Sequence, residues 1–185
     1  MTADFRSIRP GSDEYLEYYG TYIGRVPDGD IVETMKSQGK EMSAFLRAIP
    51  ESRADFSYAP GKWTIRQIIG HLADAERVFA YRAMRFARAD ATLVPGFEED
   101  DYVANGPFTR VSLSDLIDEL EHLRAATILF FRALDAEAMS RRGTANAHEI
   151  SVRAIAFIMP GHASHHVEVL RSRYLGGATQ PAGAS

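Results

Sequence analysis

Apolar residues recur at helical spacing, three and four positions apart, in four long stretches, and each stretch carries its own start signal. The first predicted helix covers about 30–48, with Ile31, Met35, Met42, Phe45, Leu46 and Ile49 on one face and Asp30 with Glu33 as a capping pair. The second opens on Thr64, with Gln67 completing a capping box, and runs to about Arg88 along Ile65, Ile68, Leu72, Ala75, Phe79, Ala83 and Phe86. The third is predicted over about 113–134, opened by Ser112 and Asp115, with Leu113, Leu116, Ile117, Leu120, Leu123, Phe130 and Leu134 facing the core. The fourth spans about 151–175.

The remaining segments fit around this pattern. Residues 12–23, with Tyr15, Leu16, Tyr18, Tyr19, Tyr22 and Ile23, predict a short helix or packed arm that Pro27 and Gly29 close. Pro50–Gly61 is a loop. Residues 91–111 are expected to be irregular and carry the acidic run Glu98-Glu99-Asp100-Asp101, and 136–150 form a second long connection holding Arg141-Arg142-Gly143. The pattern gives little support for strands. The predicted fold is therefore all-α: a four-helix bundle over 30–175 with long connections, a short N-terminal helical arm over 1–29 packed on it, and a flexible tail over 176–185. The two long connections allow a non-alternating helix order.

Composition narrows the function classes. The 185 residues suit one domain, and 45% hydrophobic content excludes a disordered chain. No run of eighteen apolar residues is present, and the first residues lack a signal-peptide core, so a cytoplasmic protein without a membrane span is expected. The net charge is −4 and the basic residues are scattered, which argues against nucleic acid as a partner. There is no cysteine, so disulfides, thiolate metal ligands and cysteine nucleophiles are all excluded.

Histidine is the remaining candidate chemistry. His162 and His166 lie four residues apart, which on a helix is a rotation of about 40° and a rise of roughly 6 Å, so both imidazoles share a face. That face is otherwise apolar. With His162 as zero, the apolar residues of the fourth helix cluster between roughly −20° and +100°; His166 falls near +40° and His165 near −60°, on the flank. His71 alone reads as an ordinary core or surface histidine. Together, His71, His162 and His166 read as three nitrogen ligands for one divalent metal with an open position. His165 is then near the site, in the cleft wall, or exposed. His122 and His148 have no partner at ligand spacing and are expected on the surface.

Two metal-enzyme patterns are excluded. A zincin needs Glu directly after the first histidine, and here Ala163, Ser164 and His165 intervene. The paired Glu-x-x-His motifs of a di-iron bundle are missing. Further candidates carry competing readings. Arg82, about three turns beyond His71, is either an anion contact or a salt-bridge partner, and the bridge is the simpler expectation. Asp74 and Glu76 are either carboxylates orienting a ligand imidazole or a solvated face. Asp101, Tyr102 and Asn105 are candidates for the cleft wall. Pro160, just before His162, is expected to bend the fourth helix.

Three stretches carry a family resemblance: PGKWTIRQIIGHLADAERVFAYR at 60–82, FEEDDYV at 97–103 and SVRAIAFIMPGHASHHVEVLRSRYL at 151–175. On these the chain resembles the DinB-like superfamily of four-helix bundles, which includes YfiT-type metal-dependent hydrolases and the bacillithiol and mycothiol S-transferases. The resemblance covers most of 30–175. It implies one metal-binding histidine on the second helix and a His-x-x-x-His pair on the fourth, which match His71, His162 and His166. It further implies nickel or zinc as the metal, with manganese or iron as alternatives, and a homodimer. Pro160 departs from the small or aliphatic residue that the pattern leads one to expect there.

Three neutral imidazoles leave a bound dication largely unneutralised, and such an ion acidifies a coordinated thiol or water. The reaction implied by the resemblance is S-transfer from a low-molecular-weight thiol to a small-molecule substrate. The alternatives are a hydrolase using metal-bound hydroxide and a non-catalytic metal or small-molecule binding protein.

Overall fold

The structure is a computed structural model that describes residues 4–176. The predicted tail, apart from Gly176, lies outside the described residues, as do the first three residues of the arm. The arm is a series of single 3-10 turns at Phe5–Ser7, Ser12–Glu14 and Glu17–Tyr19, followed by the short helix α1, Gly20–Ile23. Glu14 pins it to the bundle: this buried carboxylate accepts hydrogen bonds from Ser151 Oγ at 2.7 Å and from the Arg153 guanidinium.

The first two long helices are α2, Ile31–Arg47, and α3, Ile65–Ala87. Asp30 caps α2 by accepting from the Val32 and Glu33 amides. Thr64 and Gln67 form the reciprocal capping box of α3. The segment expected to be irregular contains a short helix, α4, Glu99–Asn105, and a 3-10 turn, Phe108–Arg110. The acidic run thus supplies the first turn of α4, where negative charge complements the unpaired amides. Helix α5, Leu113–Arg132, is capped by Ser112.

The connection after α5 holds the short helix α6, Ala136–Ser140, and a two-stranded antiparallel hairpin: β1, Arg142–Ala145, with β2, His148–Ser151. Its turn puts Asn146 at φ 52° and Ala147 at φ 63°. Two successive left-handed residues match the twist of a two-residue hairpin. Helix α7, Val152–Val169, starts on the Ser151 cap and continues into a π-helical turn at Leu170–Leu175. Pro160 lies inside α7, which runs through it.

The four long helices form the bundle. Helix α5 packs against α2 and α3, and α7 packs against the same two. Consecutive helices α2 and α3 therefore sit on a diagonal, bridged by 48–64, as do α5 and α7, bridged by 133–151, while the long connection after α3 joins two neighbours, α3 and α5. No helix among the described residues is long and apolar enough to cross a membrane.

The interior is divided into two apolar halves. One contains Met35, Phe79, Phe86, Phe131 and Phe157, the other Leu46, Ile65, Ile69, Leu116 and Leu170. Between them runs a polar layer to which every long helix contributes: Gln38 on α2, His71 and Glu76 on α3, Arg124 on α5 and His162 on α7.

Candidate metal centre

Polar groups in a helix-bundle interior are costly unless partnered, and the polar layer handles them in two ways. Glu76 and Arg124, both 4% exposed in their side chains, form a two-pronged ion pair with both N···O distances at 2.9 Å. Gln38 Oε1 accepts a further bond from Arg124. Glu76 is therefore committed to Arg124, and Asp74 lies 3.7 Å from Arg77. Neither carboxylate orients an imidazole, contrary to one of the two sequence readings.

The histidines are arranged differently. His71 is 5% and His162 8% exposed, and His166 is half-buried. The α3 phase aims His71 at α7, and the four-residue spacing on α7 stacks His162 and His166 against it. His162 Nε2 lies 3.1 Å from His71 Nε2 and 3.1 Å from His166 Nε2, and one nitrogen from each ring falls within a 4.8 Å group. An imidazole nitrogen has one lone pair or one N–H. His162 Nε2 therefore cannot make a full hydrogen bond to both neighbours, whichever tautomer it adopts. Three nitrogens around a tetrahedral ion at about 2.1 Å would be roughly 3.4 Å apart, close to the two 3.1 Å separations at His162 Nε2.

Burial also prepares the rings for ligation. It pushes the His71 imidazole down to about 4, with Asp100 acting weakly in the other direction. It pushes His166 down to about 3, helped by His71 and His165, and holds His162 well below the ordinary range. All three are neutral at pH 7, the form that ligates a metal.

A cleft of ≈ 280 Å³ opens onto the three rings. The arm forms one wall. Tyr22 sets its ring edge-on to His162 at 5.3 Å, and its hydroxyl is 2.7 Å from that of Tyr18. Phe79, Phe97 and Glu99 line the same cleft. Gly161 explains how the arm approaches so closely: a Cβ there would collide with the Tyr22 carbonyl oxygen. The glycine beside Pro160 is thus the contact surface for α1. On the other side, Trp63 lies 4.8 Å from the His71 ring and near-parallel to His166, and its Nε1 donates to Asp100 at 3.0 Å. There a second cleft of ≈ 270 Å³, lined by Tyr58, Lys62, Asp100 and Tyr174, reaches His165 and His166. A separate groove of ≈ 400 Å³ between α2 and α5 contains none of these histidines.

The other sequence candidates fall as follows. His165 is half-buried and lines both clefts. His122 and His148 are exposed. Asp101, Tyr102 and Asn105 are exposed and line neither cleft; the segment contributes Phe97, Glu99 and Asp100 instead. Arg82 is buried at 5% exposure and, against the simpler expectation, forms no salt bridge among the described residues. The helical pattern missed Tyr18, Tyr22, Trp63 and Phe97. Their aromatic density in otherwise irregular segments was the available signal.

Comparison with known proteins agrees with this architecture. In sequence, the chain is 24% identical over 156 residues to a protein of Oceanobacillus iheyensis named "Putative metal-dependent hydrolase OB0413", covering 83% of this chain and 80% of that one. In structure, it resembles YfiT from Bacillus subtilis, described as "a probable metal-dependent hydrolase with an unusual four-helix bundle topology", with a TM-score of 0.70 at 17% identity over 94% of this chain and 95% of that one. It also resembles a mycothiol-dependent maleylpyruvate isomerase, with a TM-score of 0.65 at 15% identity. That likeness covers 79% of this chain and 61% of the isomerase, so the chain spans under two thirds of its length. The DinB superfamily pattern matches residues 35–170, a span that contains all three clustered histidines, and the chain belongs to that superfamily.

Proposed function

We infer that this protein is a divalent-metal enzyme that activates a small-molecule thiol for transfer to an electrophilic substrate, with His71, His162 and His166 holding the ion. The observation that carries this reading is the meeting of three neutral imidazoles, two buried and one half-buried, on the floor of an open cleft. Nickel or zinc suits an all-nitrogen site, and manganese or iron are the alternatives. When bound, the ion would supply Lewis acidity that lowers the pKa of a coordinated thiol or water.

The chain's own residues do the rest. Three imidazoles leave the cleft side of the site open. Phe79, Tyr22 and Trp63 keep bulk water from the rings. Burial and the hydrogen bond with Tyr18 raise the Tyr22 hydroxyl well above its ordinary value, so it stays protonated and paired with the Tyr18 hydroxyl at the cleft wall. Two clefts converge on His166. That favours a reaction of two organic substrates, as thiol transfer requires, over hydrolysis, which needs only one. The thiol must come from outside, because the chain has no cysteine.

The test is conjugation of a chromogenic electrophile with a panel of low-molecular-weight thiols, after loading with nickel, zinc or manganese. Chelation and His71→Ala are each expected to abolish the rate. A rate indifferent to both would overturn the enzymatic reading. Hydrolysis of amides or esters without any thiol requirement would select the hydrolase. A metal that raises the melting temperature with no turnover would mark a binding protein.

A further inference from the structure

The two clefts that reach the histidines share three lining residues: Trp63, His165 and His166. The two histidines are neighbours on α7. Trp63 comes from the opposite side, from the turn that leads into α3. Consecutive residues of α4 then fall on its two sides. Glu99 lines the first cleft, with Phe97, and Asp100 lines the second, with Lys62. The indole therefore spans the gap between the start of α3 and the start of α4 and stands between the clefts. Its ring centre lies 4.8 Å from that of His71 and 6.4 Å from that of His166. Its Nε1 donates to the Asp100 carboxylate at 3.0 Å.

Local structure does not ask for a tryptophan here. Position 63 precedes the Thr64 cap of α3, where a hydrophobic staple toward Ile68 needs only an aliphatic side chain. The backbone is fixed independently of the indole. Thr64 and Gln67 close the capping box, and the Trp63 carbonyl accepts from the Tyr174 hydroxyl at 2.7 Å. The side chain itself is half-buried, and its hydrogen bond goes to an exposed carboxylate on the seven-residue helix α4. A fixed backbone carrying an indole held by one such bond makes a wall that is separable from the fold.

We propose that Trp63 is the residue that sorts the two substrates: it partitions the space at the histidines so that each cleft takes one small molecule, and Asp100 holds the partition in place. The sorting of two substrates rests on the thiol-transfer reading; the partition itself does not. Neither reactant can then occupy the other's place, and a rigid ligand long enough to lie along both clefts is excluded.

Calorimetric titration with phenol and with 4-phenylphenol tests the partition, using the full chain after chelation. Phenol fits a single cleft, whereas the two-ring molecule needs the length of both. Trp63→Ala and Trp63→Leu should each shift the preference toward 4-phenylphenol by about tenfold or more, because the second ring then finds apolar surface to cover. Trp63→Leu keeps an apolar residue at the staple position and guards the measurement against loss of fold. Asp100→Ala should give a smaller shift of about threefold, and Asp100→Asn, which retains an acceptor for Nε1, almost none. Trp63 is the only tryptophan, so its fluorescence reports on the same claim. Acrylamide quenching should rise in Asp100→Ala and return to the parent level in Asp100→Asn. An unchanged preference in both Trp63 variants overturns the proposal. So does weaker binding of 4-phenylphenol there, which would make the indole a stacking surface. Equal quenching in the parent and in Asp100→Ala overturns the role of Asp100. No arm uses a metal or a thiol, so failure of the thiol-transfer reading leaves these results standing and the two claims fail separately.

Discussion

Two groups of polar side chains interrupt the same hydrophobic interior, five residues apart on α3. Around Glu76 every charge is met: both carboxylate oxygens take bonds from Arg124, and Gln38 takes another. Around His71 the accounts stay open. His162 Nε2 is crowded by His71 Nε2 and His166 Nε2, each at 3.1 Å, and no carboxylate or carbonyl binds these nitrogens among the described residues. The first cluster is complete in itself and ties α2, α3 and α5 together. The second is left uncompensated, and an electron-pair acceptor among the three rings is what the proposed function supplies. Burial of polar groups does not by itself mark function; burial without compensation does.

Breaking one side of the closed cluster should have the largest effect. Arg124→Met leaves the Glu76 carboxylate buried and alone, and is expected to lower stability by about 3–5 kcal/mol in urea unfolding. Adding Glu76→Leu should restore most of that loss. If the single change costs no more than the double, the pair is not the closed unit described.

The open cluster should show itself through pH. His71 titrates at about 4 in the folded chain and near 6.5 when unfolded, so the unfolded state takes up the proton first as pH falls. Metal-free protein is therefore expected to hold its full stability above about pH 6.5 and to lose about 3 kcal/mol from His71 by about pH 4. His71→Gln should flatten that decline in urea melts recorded across the range. An unchanged slope would mean that His71 is not buried and neutral.

The arm gives a smaller test. Gly161→Ala drives a methyl group into the Tyr22 carbonyl and is expected to cost about 1–3 kcal/mol by overpacking. It should also raise protease susceptibility around Tyr18–Tyr22, because the arm is what must move. A fully stable variant would deny the close approach of α1 to α7.

Legibility in the sequence followed the range of the interaction. The Thr64–Gln67 capping box and the shared face of His162 and His166 were readable because each depends on residues within one or two turns. The Arg142–Ser151 hairpin was not: its strands have four residues each, and Ala147 occupies a left-handed position where glycine would have signalled the turn. The acidic run at 98–101 reads as a loop, although Glu99, Asp100 and Asp101 fill the first turn of α4. Glu76 could not be matched to Arg124, nor Gly161 to Tyr22, because those pairings arise only when distant helices pack. Arg82 was misjudged for the same reason: local spacing offers a salt bridge, and only the packed structure shows that none forms.

The central claim is that His71, His162 and His166 together hold one divalent ion and that His165 does not. Elemental analysis of reconstituted, desalted protein tests it most directly. The account predicts one ion per chain in the parent and in His165→Ala, and almost none in His71→Ala, His162→Ala or His166→Ala, each checked to be folded. Full occupancy in any of those three variants, or loss of the ion in His165→Ala, would contradict it.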